Sequence, residues 1–327
     1  WFNKRHDCTW IIIFELMLKN KKIFLAGHNG HVGTAILKKL KYLGYKKIIV
    51  ADRKKLDLTN QSQVFKFIKK TKPFFIIIAA ARVGGILANN SYRAEFIYEN
   101  LTIQNNLIHG SHINGVKNLI FLGSSCIYPK FCKQPQKESY LLNGKLEYTN
   151  EPYALAKIAG IKMCENYNFQ YKTNYLSLMP TNSYGFGDNY DLKQCHFFSA
   201  LIKKIFLAKM NNKKSVTLLG TGKAKRELIF VDDIADAVIY FMNKKTKENL
   251  INIGTGNEMS IEQYAKFILD KLDLKMKIKF DNRYPDGTPR KVLDTSLAKK
   301  NGWVAKTDLE TGFSKTYKEF IKKKLYI

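Results

Sequence analysis

Short apolar runs alternate with longer stretches of helical period through the first half of the chain. Lys22-Ile-Phe-Leu-Ala26 stops at Gly27, and 32–43 then places Val32, Ile36, Leu37, Leu40 and Leu43 on one face. Residues 48–50 predict a second buried strand ending at Asp52, and 74–78 a third that runs into Ala79-Ala80-Ala81. A fourth at 119–122 stops at Gly123, and a fifth covers 175–179. Helical stretches at 62–70, 92–114 and 153–171 lie between them. Strands alternating with helices predict βαβ units and a parallel sheet covered on both faces.

After Pro180 the rhythm changes. A Gly/Asn/Asp loop at 182–191 precedes a helix at 196–209 and a strand at 227–231. Asp232-Asp233 is expected to cap a helix reaching Met242, with both carboxylates at its positive end. A strand at 251–253 follows, and Ser260 with Gln263 three residues on forms a capping box. The fold class expected is α/β: a Rossmann-type doubly wound parallel sheet with a smaller, interwoven α/β substrate-binding domain. The first domain is assigned to 21–183, with 228–254 returning to it, and the second to 184–227 and 255–327. Residues 1–20 lack the small-residue cleavage pattern of a secretory signal and are read as an extension of unknown role.

Composition narrows the class. Of 327 residues, 45% are hydrophobic and 25% charged, which excludes disorder and a small disulfide scaffold. No run approaches the ~20 apolar residues of a membrane span. Lys and Arg number 55 against 27 Asp and Glu, a net charge of +28. The lysines are spread through every segment alongside abundant Asn and Ile, so much of the excess reads as a general residue bias. The remainder favours anionic ligands, and no nucleic-acid-binding motif appears. Five cysteines, Cys8, Cys126, Cys132, Cys164 and Cys195, form no regular framework and read as reduced, in an intracellular, cytoplasmic protein. Their spacing with His196 is not that of zinc ligands, so no metal site is expected.

The chemistry is carried by two motifs. Gly27-His-Asn-Gly30-His-Val-Gly33 lies between a strand and a helix. Dinucleotide binding needs such glycines for a tight turn, close approach to pyrophosphate and strand–helix packing, with helix N–H groups facing the phosphate. A glycine triplet by itself also marks ordinary turns; its place after the first strand gives it weight. Asp52 follows Gly27 by about 25 residues, where a carboxylate favours NAD and a nearby Arg favours NADP. Asp52 and Arg53 stand side by side, so the spacing leaves both open. Tyr153-Ala-Leu-Ala-Lys157 is Tyr-x-x-x-Lys, two side chains on one helix face. A cationic Lys and a nearby nicotinamide there would lower the phenol pKa from ~10 and make Tyr153 a usable proton donor or acceptor. Tyr and Lys four apart also occur by chance, but this pair follows a strand that ends in Gly123-Ser124-Ser125-Cys126.

A Ser at a strand end ahead of a Tyr-x-x-x-Lys helix resembles the Ser–Tyr–Lys set of the short-chain dehydrogenases/reductases, in which Ser binds the substrate oxygen, Tyr passes the proton and Lys holds the cofactor ribose. Longer stretches sharpen the likeness: Gly123-Ser-Ser-Cys-Ile-Tyr-Pro129, Asn150-Glu-Pro-Tyr-Ala154, Lys157-Ile-Ala-Gly-Ile-Lys162 and Met179-Pro-Thr-Asn182. Val83-Gly-Gly-Ile86 with Ala88-Asn-Asn90, Arg226-Glu with Val231-Asp-Asp233, and Pro285-Asp-Gly-Thr-Pro-Arg-Lys291 extend it. Together, over about 21–320, they resemble the GDP-L-fucose synthase family of extended short-chain dehydrogenases/reductases.

The resemblance implies 3,5-epimerisation of GDP-4-keto-6-deoxy-D-mannose, then NADPH-dependent reduction of its C4 ketone to GDP-L-fucose, in a homodimer formed through helices 92–114 and 153–171. The cofactor implied is NADP(H), and neither nucleic acid nor membrane is an expected partner. Cys126 and His196 match the family's base and acid, with Ser124, Tyr153 and Lys157 serving the reduction. The matching cofactor residues are Gly27, Asn29, Gly30, Val32, Gly33, Arg53, Asp57, Leu58, Asn100, Leu122 and Gly123. Pro180, Thr181, Asn182 and Ser183 join them, with Tyr153, Lys157 and His196. Ser124, Ser125, Lys204, Leu219, Arg226 and Asp286 match contacts to the GDP-sugar. Lys204 stands where the family often has Arg, which loses a bidentate fork to phosphate, and Leu219 replaces an aromatic. A nucleotide-sugar 4-epimerase is the nearest rival, along with a 4,6-dehydratase, which usually carries an acidic residue where Ser125-Cys126 stands. A catalytically silent dinucleotide sensor would not need the Ser124–Tyr153–Lys157 set.

Overall fold

A computed structural model describes residues 18–284 and 286–326, so most of the 1–20 extension lies outside the described residues. The chain opens with β1 (Ile23–Ala26), α1 (His31–Tyr42), β2 (Ile48–Ile49), α2 (Gln61–Thr71) and β3 (Phe75–Ile78). Then come α3 (Ile86–Ser91), α4 (Arg93–Ile113), β4 (Asn118–Leu122), α5 (Glu151–Tyr171), β5 (Asn174–Pro180) and β6 (Asn182–Tyr184). The second half holds α6 (Phe197–Met210), β7 (Ser215–Leu219), β8 (Lys225–Phe230), α7 (Val231–Asn243), β9 (Leu250–Ile253) and β10 (Glu258–Ser260). It closes with α8 (Ile261–Lys271), β11 (Lys277–Asp281), β12 (Arg290–Lys291), α9 (Ser296–Lys300) and α10 (Leu309–Lys322).

Six parallel strands form one sheet in the order β2-β1-β3-β4-β5-β9. The order reverses between β1 and β3, and in such sheets ligands bind beyond the carboxyl ends of the strands at that reversal. Both faces are covered, as the apolar runs predicted. Ile23, Leu25, Ile77, Ile120 and Leu178 pack with Ile36, Leu40, Ile234 and Val238 of α1 and α7. The alternate residues Phe24, Ile76, Ile78, Leu119 and Phe121 pack with Val64, Ile68, Leu107 and Ile161 of α2, α4 and α5. The two-residue period of the strand sends successive side chains to opposite helical layers.

A third core belongs to the smaller lobe, where Phe198, Ile202, Ile205 and Phe206 of α6 meet Val216, Leu218, Phe230, Ile268, Phe313 and Phe320. The lobes are tied through β8, which pairs with β6, β10 and β12. Glu227 in β8 is fully buried, and its carboxylate accepts N–H groups from Thr255 (2.6 Å), Gly256 (2.7 Å) and Leu293 (2.9 Å). One side chain thus gathers the turn after β9 and the chain after β12.

Two local expectations are corrected. The buried strand expected at 48–50 is two half-buried residues, because β2 lies at the sheet edge and pairs with β1 alone. Asp232 and Asp233 do not cap α7. The helix begins directly off β8 with Phe230 at the cap position, and Asp233 accepts the Thr307 N–H at 2.9 Å. Their place in the first turn still favours the helix dipole. The capping box at Ser260 forms in full: its hydroxyl accepts the Gln263 N–H at 3.1 Å, and the Gln263 side chain accepts the Ser260 N–H at 2.7 Å.

The seam between β1 and α1 is closely packed, backbone against backbone. A Cβ on Gly33 would stand 2.0 Å from the Gly27 carbonyl oxygen, whereas one on Gly30 would meet that oxygen at 3.5 Å. Gly33→Ala should therefore lower stability by about 1–3 kcal/mol through overpacking, and Gly30→Ser should not. Urea midpoints of the two variants test this; equal midpoints would show that α1 does not press on the strand end.

Candidate active site

The glycine loop leaves β1 at Gly27, whose φ of +89° and close approach to Ala79 and Ala80 of the neighbouring strand end leave no room for a side chain. Asn29 and Gly30 are exposed, Val32 is partly buried and Gly33 buried. The first turn of α1 carries no acidic residue and no side-chain cap, so its N–H groups remain for an anion. The open space over Gly30 and the closed space over Gly27 and Gly33 fit the pyrophosphate of a dinucleotide. His31 adds to this: Nδ1 lies 2.9 Å from the Phe186 carbonyl, while Nε2 is buried with no hydrogen-bond partner among the described residues.

The remaining residues expected at a cofactor separate into two groups. Arg53 is exposed beyond β2, and its charge bears on Asp57. Asp57 accepts the Thr59 hydroxyl at 2.7 Å and its N–H at 2.9 Å, which holds the carboxyl below its ordinary range. The Leu58 carbonyl accepts Asn106 Nδ2 at 3.0 Å. Asn100 is buried and committed to backbone, with Oδ1 taking the Arg82 N–H (2.9 Å) and Nδ2 reaching the Arg82 and Phe96 carbonyls. Its polar atoms shape the chain after β3. Gly123 is pinned against Met179, and the Gly123 N–H donates to the Leu178 carbonyl at 2.9 Å. Beyond Pro180 at the end of β5, Thr181 donates its N–H to Ile253 at 3.0 Å, and Asn182 and Thr181 both reach the Glu227 carbonyl; partly buried Ser183 follows in β6.

Ser124, Cys126, Tyr153 and Lys157 come together at the carboxyl end of β4. Lys157 is almost fully buried and donates Nζ to the Leu122 carbonyl at 2.8 Å, with its charge over the Phe121 ring (4.7 Å). Burial alone pulls its ammonium down to about 7. The Tyr153 phenol lies within reach of the Ser124 side chain, and Phe96 packs edge-on against its ring. Here an expectation is corrected. The phenol is pushed well above its ordinary value, first by burial and then by Cys126, with Ser124 acting the other way. Lys157 points at the Leu122 carbonyl, not at the hydroxyl, so it does not lower the phenol. Tyr153 therefore keeps its proton.

Cys126 faces Arg226, expected at the GDP-sugar, and two residues to which the sequence assigns no role, Lys291 and Asn150. Lys291 Nζ lies 3.3 Å from its Sγ, Asn150 Nδ2 lies 3.7 Å away, and the Arg226 guanidinium is within electrostatic reach. Lys291 and Arg226 are register partners in β12 and β8, so one strand pair delivers both cations. The signal for Lys291 and Asn150 was their place at the ends of the Asp-Gly-Thr-Pro-Arg-Lys and Asn-Glu-Pro-Tyr motifs. His196 sits at the N-cap position of α6, and Lys291 reaches it as well. Burial lowers the imidazole pKa, Asp188 raises it, and His31 and Lys291 lower it further. A lowered pKa makes the imidazolium a stronger acid.

Ser125 is buried in the turn after β4. The residues expected at a GDP-sugar gather at a second point: Arg226 donates to the Asp286 carbonyl at 3.1 Å, and the Asp286 carboxylate takes the Thr221 N–H at 2.8 Å and bonds its hydroxyl. Asp286 thus closes the turn after the half-exposed Leu219. Lys204, on α6, lies near Cys195, and burial lowers its ammonium pKa. Among the described residues no group of three His, Cys, Asp or Glu could hold a metal ion.

A doubly wound sheet with a pyrophosphate loop and a Ser–Tyr–Lys set defines a short-chain dehydrogenase/reductase. The model of the NAD dependent epimerase/dehydratase family matches residues 23–254. The chain is 47% identical over 305 residues to GDP-L-fucose synthase of Sinorhizobium fredii, covering 93% of this chain and 97% of that one. It is 43% identical over 313 residues to GDP-L-fucose synthase of Escherichia coli, covering 93% and 98%. In structure it matches the GDP-mannoheptose C4 reductase MlghC of Campylobacter jejuni, solved with NADP bound, at a TM-score of 0.83 and 38% identity over 93% of this chain and 99% of that one. The chain belongs to the GDP-L-fucose synthase family, within the NAD dependent epimerase/dehydratase family.

The buried amine makes a stability prediction. The unfolded chain keeps Lys157 protonated to about pH 10.4, whereas the folded chain releases that proton near 7. Between those values the unfolded state holds the extra proton, so stability rises with pH. Relative to Lys157→Met, the wild type should gain about 2–3 kcal/mol from pH 7 to pH 9 in urea unfolding. A constant difference would show that the amine keeps its charge in the fold.

Proposed function

We propose that this protein converts GDP-4-keto-6-deoxy-D-mannose to GDP-L-fucose with NADPH, by epimerisation at C3 and C5 followed by reduction at C4. The observation that carries this reading is the convergence on one strand end of a protonated phenol beside a serine and a cysteine flanked by cations. The first pair suits a ketone oxygen, and the second suits proton removal from the carbons beside it. Relatives 43–47% identical along nearly the full chain support the same substrate.

In this reading Cys126, as thiolate, takes the proton from C3 or C5, and the C–H electron pair moves into the C4 carbonyl as an enolate. Ser124 and Tyr153 donate hydrogen bonds to that oxygen as its charge grows, which is where preorganised donors lower the barrier most. His196 returns a proton to the opposite face. Bound NADPH supplies the hydride for C4. Tyr153 then gives its phenolic proton to O4. Lys157, with Leu122 and Asn100, holds the frame of the cofactor site. Arg53 beyond β2 suits a 2′-phosphate, and Gly27, Asn29, Gly30, Val32 and Gly33 receive the pyrophosphate. Arg226, Lys204, Leu219 and Asp286 take the GDP end. The cysteines among the described residues are free, in keeping with a reducing, cytoplasmic setting.

The direct test is incubation with GDP-4-keto-6-deoxy-D-mannose and NADPH. GDP-L-fucose should form as NADPH is oxidised; no oxidation would reject the reading. Tyr153→Phe should cut the rate by about 10²–10⁴ and leave NADPH affinity unchanged, and loss of affinity instead would remove Tyr153 from the acid role.

The protein is also proposed to act as a homodimer through α4 and α5. These helices pack on each other and leave Tyr98, Ile113, Leu155 and Tyr171 exposed on their outer surfaces. Apolar side chains so placed suit a self-complementary interface. Light scattering should give twice the 37.8 kDa chain mass, and a monomer mass would contradict the assignment.

A further inference from the structure

The Val83-Gly-Gly-Ile86 and Ala88-Asn-Asn90 motifs contribute no reacting group, yet the chain they form is held with unusual care. Asn89, buried in α3, donates Nδ2 to the Gly84 carbonyl at 2.7 Å and to the Gly85 carbonyl at 3.0 Å. The Gly85 N–H donates to the Gln194 carbonyl at 2.8 Å, two residues before His196. The fit on that side is close. A Cβ on Gly85 would stand 2.7 Å from the Cys195 carbonyl oxygen, and one on Gly84 would stand 3.0 Å from Ala88 Cβ and 3.2 Å from Phe96. Neither glycine has a positive φ in this structure, so contact and not backbone strain explains the absence of side chains.

The chain seated on this ledge is a stiff turn. Gln194 and Cys195 both donate their N–H groups to the Asp191 carbonyl (2.9 and 2.7 Å), and the Lys193 N–H reaches the Asp191 carboxylate at 3.0 Å. His196 follows at once, and its carbonyl takes the first helical hydrogen bond of α6, from Ala200 at 3.0 Å. His196 is thereby fixed at its N-terminal side by the ledge and at its C-terminal side by the helix.

We propose that the Gly84-Gly85 ledge, locked by Asn89, is the positioning element for His196, and that it decides how completely epimerisation precedes reduction at the shared ketone. This rests on the functional reading above. A proton donor displaced by about 1 Å can lose 10²-fold in rate. Hydride and proton addition at C4 do not use His196, so they continue. The ketone is then reduced before C3 and C5 are inverted: a C–H bond forms at C4 and an O–H bond at O4, while a proton that Cys126 takes from C3 or C5 goes back from Cys126 to the face it left, and the configuration there is kept.

The test compares wild type with Gly85→Ala and Asn89→Ala at saturating NADPH and GDP-4-keto-6-deoxy-D-mannose, resolving the C4 alcohols by whether C3 and C5 are inverted. Fluorescence titration with NADPH reports the state of the first domain. Affinity should stay within about twofold of wild type, while the share of un-inverted product rises at least about tenfold in both variants. Slower turnover with unchanged product composition would give the ledge a merely structural part and overturn the proposal. Should Gly85→Ala fail to fold, Asn89→Ala, which adds no atom, decides by the same product ratio. A wild type that forms no GDP-L-fucose overturns the functional reading instead, a result distinct from the other two.

Discussion

The hydrogen bond from the buried Lys157 ammonium to the Leu122 carbonyl sets the arrangement of the whole site. A buried amine without a partner is costly, and this one meets a carbonyl two residues before Ser124. The bond therefore fixes both the depth and the rotation of α5 on the end of β4. Tyr153, one helical turn earlier on the same face, is then carried to Ser124. The phenol is thus placed by a structural bond, and the same packing desolvates it and keeps it protonated.

The smaller lobe adds a second chemistry to the same strand end. Glu227 gathers the turn after β9 and the chain after β12 through three backbone N–H groups. The β8–β12 pairing then brings Arg226 and Lys291 side by side toward Cys126. A net charge of +28 is dispersed over the chain, but these two cations are not. They stand beside Cys126. Tyr153 and Cys126 thus stand at one strand end, and the proposed reaction, in which a carbonyl first acidifies its neighbours and is afterwards reduced, would use both.

Much of this was legible along the chain. The apolar runs ending at Ala26, Ile78, Leu122 and Met179 are central strands, readable because both faces of a parallel sheet are buried. The capping box at Ser260 is local chemistry and reads locally. Elements that depend on distant partners did not show. β7 and β11 pair with each other and alternate polar with apolar residues, and β12 is two residues long. The role of Lys291 needs a strand 165 positions after Cys126 to return to it, and no spacing encodes that. The phenol was misread because helical periodicity gives the shared face of Tyr153 and Lys157 but not the carbonyl that claims the amine. Asp286 shows the same limit, since its carboxylate closes a turn with Thr221.

The central claim is that one carbonyl, held by Ser124 and Tyr153, serves proton exchange at its neighbours and hydride addition at itself. It is tested most directly by running the reaction in heavy water with NADPH deuterated at the transferable hydride, then locating the label in the product by NMR. The account predicts one deuteron each at C3, C4 and C5 of the same sugar. A product labelled at C4 alone, with protium retained at C3 and C5, would contradict it.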